Sequence, residues 1–144
     1  AMAQHFTTQR LVEFSDTDMA GIMHFAAFFR YMESVEHEFV RSLGLSIHSQ
    51  IDGQTVSFPR VAAKCEFSSP AKCEDLLDAQ LTVKRIGNAS LTYSIQFSRE
   101  GEPVAVGEVT CVCCVIEPGK APVPRPVPDE LKALMEPYAA PENG

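Results

Sequence analysis

The sequence predicts an α+β domain in which an antiparallel sheet packs against one long helix. Apolar residues recur at steps of three and four over residues 25–43, which is the pattern of an amphipathic helix. Residues 55–117 then contain runs of alternating apolar and polar side chains between short turn sequences, as antiparallel strands do. There is no internal repeat and no linker, so one domain accounts for both patterns.

The length and charge of the chain argue against several classes of protein. Its 144 residues suit one domain. Nineteen Asp and Glu outnumber twelve Lys and Arg, and no basic run is present, so nucleic acid is not expected as a partner. No apolar run approaches the roughly 20 residues that cross a bilayer. The first residues lack the apolar centre of a signal peptide, so we expect a cytoplasmic protein without a transmembrane segment.

A strand is expected before the helix, over residues 6–15. The stretch DTDMAGIMH (16–24) follows as a loop, with Gly21 at a turn. The helix is expected to begin near Phe25, to run for about twenty residues and to end at Gly44 as its C-terminal cap. Its apolar stripe comprises Phe25, Phe28, Phe29, Met32, Val35, Phe39, Val40 and Leu43, with Glu36 as the one polar member, and the strand's one face comprises Phe6, Thr8, Arg10, Val12 and Phe14.

Long strands are expected after the helix. Residues 55–69 form one around Pro59, and turns are expected at Gly87-Asn88 and at residues 100–102. Residues 103–117 are apolar on both faces, which predicts a strand that is central or covered twice. In residues 75–99 the inward positions are Leu77, Ala79, Leu81, Val83, Leu91, Tyr93, Ile95 and Phe97, and the outward ones are Ser90, Thr92, Ser94, Gln96 and Ser98.

The C-terminal part is expected to form a tail. Five prolines lie in residues 118–128, and proline cannot join the interior of a sheet. Asp129 is then expected to cap a short final helix. The predicted division is therefore a domain over residues 3–120 and a tail over residues 121–144. A curled antiparallel sheet wrapped around one long central helix is the hotdog fold.

The five cysteines are expected to be structural. Three of them lie in the apolar stretch VTCVCCVI, where Cys111 and Cys114 are three residues apart and so point to opposite faces of a strand. Free cysteines usually behave as small buried apolar residues. A metal site would need a second pair of ligands, and none is evident.

Two carboxylates, Asp16 and Asp18, lie a few residues before the expected start of the helix. Unpaired N–H groups at a helix start can stabilise an anion. A carboxylate beside such N–H groups suits thioester hydrolysis, because it can attack the acyl carbon or activate water while an N–H holds the oxyanion. From spacing alone, the simpler interpretation is that both residues cap turns.

The motif DTDMAGI (16–22), followed by an aromatic-rich helix start at residues 25–31 and by Glu33, resembles the 4-hydroxybenzoyl-CoA thioesterase family. This family includes the Tol–Pal-associated acyl-CoA thioesterases. The resemblance continues weakly through VKRIGNASLTY (83–93) and residues 103–116, so it covers most of residues 8–120. It implies a hotdog acyl-CoA thioesterase that needs no metal or redox cofactor and that forms a homodimer or a homotetramer.

The resemblance also implies roles for individual residues. Asp18 falls on the family's catalytic Asp, as nucleophile or general base, and Asp16 is then structural. The oxyanion contact is a backbone N–H that maps to Phe25. Glu33 is a further catalytic candidate, acting across the subunit boundary, or else part of an acidic, solvated helix face. Candidates for binding the substrate are Gly21, His24, Phe28, Phe29, Lys84, Arg85 and Ser90.

Two departures from the family pattern concern substrate binding. His24 stands one place before the position where relatives often have a His, so it is either a wall of the thioester pocket or a core residue. Asn88-Ala89 stands where some relatives place basic residues for the CoA phosphates. Lys84, Arg85 and Lys64 are candidate substitutes with no further support from the sequence, and solvated surface charge is the simpler interpretation of each.

Two other functions remain open at the level of sequence. A hotdog enoyl-thioester hydratase would use an Asp and a His, typically five residues apart, whereas Asp18 and His24 are six apart. A non-catalytic module would bind acyl-CoA or acyl carrier protein without releasing a thiol. The retained Asp18 and Gly21 favour the thioesterase.

Overall fold

The computed structural model describes residues 4–47 and 49–140. The ends of the two predicted units, residue 3 and residues 141–144, lie outside this range. The strands are β1 (Phe6–Leu11), β2 (Ser49–Ile51), β3 (Gln54–Ser57), β4 (Arg60–Phe67), β5 (Leu76–Ile86), β6 (Ser90–Arg99), β7 (Glu102–Val112), β8 (Cys114–Val115) and β9 (Val123–Pro124). The helices are α1 (Ala27–Ser42) and α2 (Asp129–Met135), with 3₁₀ turns at Phe14–Asp16 and Glu136–Tyr138.

The strands form two antiparallel sheets. The large sheet has the order β1-β5-β6-β7-β4, and a small sheet has the order β2-β3-β8-β9. Both predicted hairpin turns are present. The turn between β6 and β7 has positive φ at Glu100 and Gly101, 50° and 83°, as a two-residue type I′ turn requires.

Helix α1 packs on one face of the large sheet, where it contacts β1, β5, β6 and β7. It is shorter than predicted: it has 16 residues and starts at Ala27. Phe25 lies outside it and is 62% exposed, and Phe29 is 36% exposed. Tyr31 is buried instead, because it shares a helical face with its neighbours at three- and four-residue steps. The buried residues of α1 are Ala27, Phe28, Tyr31, Met32, Val35, Glu36 and Phe39.

Gly44 ends α1 as predicted. It has a φ of +80°, which a residue with a side chain rarely adopts. Its N–H donates to the Arg41 carbonyl at 2.9 Å, and the Leu45 N–H donates to the Val40 carbonyl at 3.3 Å. These two bonds form a Schellman motif, which satisfies carbonyls at the helix end.

The predicted inward positions of β5 and β6 are all buried. Two expectations about the sheet are wrong. Thr92, expected to face outward in the open, is buried, and its hydroxyl pairs with that of Thr110 at 2.9 Å. Phe14 is 81% exposed, because the chain leaves β1 at Leu11 and turns. Strand β7 lies between β6 and β4, so it is central, as one of the two alternatives predicted, although Val106 is 42% exposed on one face.

Strand β4 lies at an edge of the large sheet and is mostly exposed. Val61 and Phe67, two of its apolar side chains, are 62% and 50% exposed. The single strand expected over residues 55–69 is in fact two, β3 and β4, which Phe58 and Pro59 separate. Proline lacks the N–H that would continue a ladder, which explains the break.

The C-terminal segment packs onto the rest of the chain. Val123 and Pro124 form an edge strand of the small sheet. Met135 belongs to the buried core, and the ring of Tyr138 lies 4.9 Å from that of Phe39. Asp129 is the first residue of α2 rather than its cap, since Pro128 holds the cap position.

Gly107 brings α1 close to the sheet. A Cβ atom at this position would lie 2.4 Å from the Met32 sulfur. The helix therefore rests on bare backbone at this point. Among the described residues, no helix is long and apolar enough to cross a membrane.

Candidate active site

The loop between β1 and α1 holds the two acidic residues in a compact turn. The Asp18 N–H donates to the Ile22 carbonyl, and the Gly21 N–H donates to the Asp18 carbonyl, both at 2.9 Å. Gly21 has a φ of +80°, so this turn favours glycine. The two ends of the loop are joined as well, because the His24 N–H donates to the Asp16 carbonyl at 2.8 Å.

The Asp16 carboxylate is surrounded by hydrogen-bond donors. It accepts from the Tyr31 hydroxyl at 2.6 Å, from the Glu13 N–H at 3.1 Å and from Arg30 at 3.3 Å. Burial raises its pKa, but these three donors outweigh burial and hold the pKa below its usual value. Burial and the bond to Asp16 raise the pKa of Tyr31. Asp16 therefore fixes the loop to the helix.

The Asp18 carboxylate is far less occupied. Its Oδ1 accepts from the Ala20 N–H at 2.8 Å, and no other side-chain bond to it is present within residues 4–47 and 49–140. One oxygen is therefore available to a ligand or a water molecule. Of the two carboxylates, Asp18 is the one that can react with something outside the chain.

An unpaired backbone N–H lies seven residues after Asp18. The Phe25 N–H has no acceptor in the described part of the chain, whereas the next N–H, of Ala26, donates to His24 Nδ1 at 3.1 Å. The His24 ring stacks on the exposed Phe25 ring at 4.7 Å. The Phe25 N–H, two residues before α1, is therefore free, as an oxyanion donor needs to be.

The aromatic candidates for substrate binding separate into two groups. Phe28 is buried against Phe67 and Phe97, with ring centroids 5.2 and 5.9 Å away. Phe25 and Phe29 remain exposed. The exposed aromatic surface at the start of α1 therefore consists of these two side chains, with His24 stacked on Phe25.

Glu33 lies further along α1 and faces strand β4. Its side chain is 59% exposed and lies 3.8 Å from Arg60 Nη2. Arg60 also donates to Glu36 Oε2 at 2.9 Å. No local pattern in the sequence marks Arg60 as a functional candidate. Glu36 did carry a signal, as the polar member of an apolar stripe.

The basic candidates do not meet Asp18 in the same chain. Lys84 pairs with Glu108 at 2.6 Å, and Lys64 is in register with the same Glu108. Arg85 and Ser90 lie at the hairpin end of β5 and β6, whereas the Asp18 loop lies at the other end, near Leu76. A single chain thus places the candidates for CoA contacts away from the carboxylate.

The cysteines differ in exposure. Cys111, Cys113 and Cys114 are buried as expected, but Cys65 is only partly buried and Cys73 is exposed. Burial raises the pKa of Cys111 to about 12. The expectation that all five are buried is therefore wrong, because Cys73 lies in the loop between β4 and β5 rather than in a strand.

Comparison with known proteins identifies the family. Residues 12–134 match the model of the thioesterase-like superfamily. The chain belongs to this superfamily. The resemblance inferred from the sequence is confirmed, and with it the class of enzyme, a thioester hydrolase.

Two curated relatives and one solved structure illustrate the match. A 1,4-dihydroxy-2-naphthoyl-CoA hydrolase of Synechocystis is 30% identical over 124 residues, which is 84% of this chain and 90% of the relative. The enzyme of that name from Thermosynechococcus vestitus is 28% identical and covers 89% of each chain. The crystal structure of a 1,4-dihydroxy-2-naphthoyl-CoA thioesterase from Synechocystis has a TM-score of 0.81 at 24% identity, covering 92% of this chain and 96% of that one.

Proposed function

We propose that the chain hydrolyses an acyl-CoA thioester to a free acid and CoA, with Asp18 as nucleophile or general base and the Phe25 N–H as oxyanion donor. The observation that carries this proposal is the unpaired Phe25 N–H, which shares an open loop with a carboxylate that has an oxygen to spare. A carboxylate held by several donors, like that of Asp16, is a poor base. No metal or redox cofactor takes part in this scheme.

An aromatic acyl group is the substrate class that the relatives favour. Their names specify 1,4-dihydroxy-2-naphthoyl-CoA. The exposed rings of Phe25 and Phe29 offer flat apolar surface at the start of α1, on which an aromatic acyl group can stack. We propose a hydroxylated aromatic acyl-CoA on these grounds.

The architecture we propose is the hotdog fold, assembled as a homodimer or homotetramer. Strand β4 pairs with β7 alone among the described strands, and a free edge can pair with a second copy. Antiparallel pairing of two β4 strands would bring the Arg60 end of one chain next to the Phe67 end of the other. Glu33 and the basic candidates of one chain would then approach the Asp18 loop of its partner.

The dimer can be tested at β4. We expect light scattering at micromolar concentration to give twice or four times the mass of one chain. Val61→Lys should lower that mass, because it places a charge on the exposed edge strand. Val123→Lys is the matched control, since Val123 is as exposed as Val61, at 59%, but lies in the small sheet. A wild-type protein with the mass of one chain would contradict the proposal.

Two rival functions remain distinguishable by assay. An enoyl-thioester hydratase would add water to an enoyl-CoA without releasing thiol, and an acyl-CoA or acyl-carrier-protein binding module would bind without turnover. The thioesterase is preferred because the Phe25 N–H suits an oxyanion, and because His24 Nδ1 already accepts the Ala26 N–H.

The decisive experiment compares two neighbouring carboxylates by thiol release from a panel of aryl- and alkanoyl-CoA substrates. Asp18→Asn should lower kcat at least about a hundredfold, since general-base catalysis alone typically contributes that much. Asp16→Asn should mainly lower stability, by about 1–3 kcal/mol, because it weakens the hydrogen bonds that this partly buried carboxylate accepts. If a folded Asp16→Asn protein is inactive while Asp18→Asn is active, the assignment is wrong. If neither change affects turnover, Asp18 catalysis is refuted.

A further inference from the structure

A cavity of about 540 Å³ lies at the C-terminal half of α1, away from the Asp18 loop. The start of β4, strand β6 and helix α2 complete its walls. Its lining is mainly apolar and includes Phe58, Tyr93, Leu131 and Met135. This size falls within the range of pockets that enclose small organic ligands.

One polar group on the wall of this cavity is incompletely satisfied. Glu36 lines the cavity and is only 4% exposed. Its Oε2 accepts from Arg60 at 2.9 Å, but its Oε1 has no hydrogen-bond partner in the described part of the chain. A buried acceptor without a donor is costly, so a ligand that supplies a donor gains more here than an apolar one.

The charges around Glu36 indicate that this donor is neutral. Arg60 already balances the charge of Glu36, so a cation would leave an excess positive charge in the wall. Glu33 and Glu130 also border the cavity, but both are exposed to solvent. Water screens such exposed charges, so they add little attraction for a cation.

We propose that this cavity binds a neutral aromatic molecule through a hydroxyl group that donates a hydrogen bond to Glu36. The aromatic body would pack against the apolar walls. The hydroxyl would complete the hydrogen bonding of the carboxylate, which Arg60 holds in place. The ligand class is therefore a hydroxyarene, such as a phenol or a naphthol.

The hydroxyarene could come from two sources. It could be a free molecule, or it could be the acyl group of a thioester substrate. Glu36 lies nine residues beyond the first residue of α1, which is about 14 Å along the helix axis. An aromatic acyl group attacked by Asp18 cannot span that distance within one chain. It would therefore enter the cavity of one chain only if Asp18 of a second copy attacked it. This second source rests on the proposed function, whereas the first does not.

Binding can be tested with a matched pair of probes, naphthol and methoxynaphthalene, by calorimetric titration at a pH about one unit above the Glu36 pKa of about 7, where the carboxylate is ionised. The two have similar apolar bodies, but only naphthol can donate. The wild-type protein should bind naphthol about tenfold more tightly, as expected for a hydrogen bond to a charged group. Glu36→Gln should abolish or reverse this preference. Its amide oxygen must accept from Arg60, so an N–H group replaces the free acceptor.

Two controls make the binding result specific. Glu130→Gln makes the same chemical change at an exposed position on the cavity rim, and it should leave the preference intact. Asp18→Asn should also leave it intact, because the probes are not thioesters. Equal affinity of the wild-type protein for both probes would overturn the proposal, as would a preference that survives Glu36→Gln. Thermal unfolding of each variant checks that it is folded.

Turnover separates the two sources. If the acyl group enters the cavity, Glu36→Gln should lower kcat/KM for hydroxynaphthoyl-CoA relative to naphthoyl-CoA about tenfold, and naphthol should compete with substrate. If the ligand is a free molecule, that ratio should stay unchanged and naphthol should not compete. If Asp18→Asn loses turnover but binds naphthol as the wild type does, hydrolysis at Asp18 and binding in the cavity are separate properties. Each proposal can then be refuted without the other.

Discussion

The two ends of α1 present carboxylates in opposite environments. At the N-terminal end, the Asp18 carboxylate has one donor and lies in the same loop as the free Phe25 N–H. In the C-terminal half, Glu36 is buried against Arg60 and has an unsatisfied oxygen. One helix can therefore have an accessible carboxylate, suited to reaction, near one end and an enclosed carboxylate, suited to binding a ligand, near the other.

The largest expected effect concerns the open end. Phe25→Pro deletes the backbone N–H that we assign to the oxyanion. We expect kcat to fall about a hundred- to a thousandfold, as for loss of an oxyanion donor in other enzymes. Thiol release from the substrate that gives the highest wild-type activity is the measurement. The proline lies two residues before α1 starts, so it removes no helical hydrogen bond.

Phe25→Ala is the control for that experiment, because it removes the ring and keeps the N–H. We expect it to retain kcat within about tenfold and to act mainly through KM. Similar losses of kcat in the two variants would mean that the ring, not the N–H, matters. That result would remove the functional contrast between the two ends.

A smaller effect is expected at the closed end, in the pH dependence of stability. Burial raises the pKa of Glu36 to about 7, although Arg60 acts in the opposite direction, and Glu33 adds a further rise. Between the ordinary pKa of 4.5 and this value, the folded chain binds more protons than the unfolded chain. Stability from this group is therefore present at low pH and is lost as the pH rises toward 7.

Denaturant titrations at several pH values between about 4.5 and 8 measure this effect. Glu36→Gln cannot ionise, so its free energy of unfolding should fall less steeply with pH over this window. Asp16 has the opposite sign, because its lowered pKa contributes stability that is lost only under more acidic conditions. An identical slope in wild type and Glu36→Gln would show that Glu36 does not titrate in this range.

The smallest expected effect concerns the thiols. Cys73 is exposed in the loop whose Ala71 carbonyl accepts the Met23 N–H, at the open end. Cys111 is buried near Glu36, and its raised pKa disfavours the reactive thiolate. A thiol reagent should therefore modify Cys73 fastest in the native protein, and Cys73→Ser should remove this fast phase. Fast labelling of Cys111 would show that the core around Glu36 opens to solvent in the native protein.

Much of the fold could be predicted from local pattern. The inward positions of β5 and β6 follow from alternation, and Gly44 ends α1 where a left-handed residue was expected. The start of α1 could not be placed, because Phe25 continues the apolar spacing while His24 accepts a hydrogen bond that holds the preceding turn. The spacing of apolar residues gives no information about a side chain, such as that of His24, that accepts a hydrogen bond from a backbone N–H before the helix starts.

The candidate site could be predicted only near Asp18. The loop motif pointed to Asp18, Gly21 and Phe25, which lie in one loop between β1 and α1. Lys84 shows the limit of sequence reasoning, since its neighbours gave no sign that it would pair with Glu108 across β6. The pairing of Arg60 with Glu36 is likewise a contact between distant parts of the chain, and no local pattern encodes it.

Gly107 makes room for a side chain at the middle of α1. Met32, whose thioether rests on the bare backbone of Gly107, lies between the Asp18 loop and Glu36 along the helix. A larger residue at Gly107 would have to displace the Met32 side chain first, because no backbone atom of the helix lies as close. The packing at the middle of α1 can therefore be altered at Gly107 without changing a residue of either the loop or the cavity.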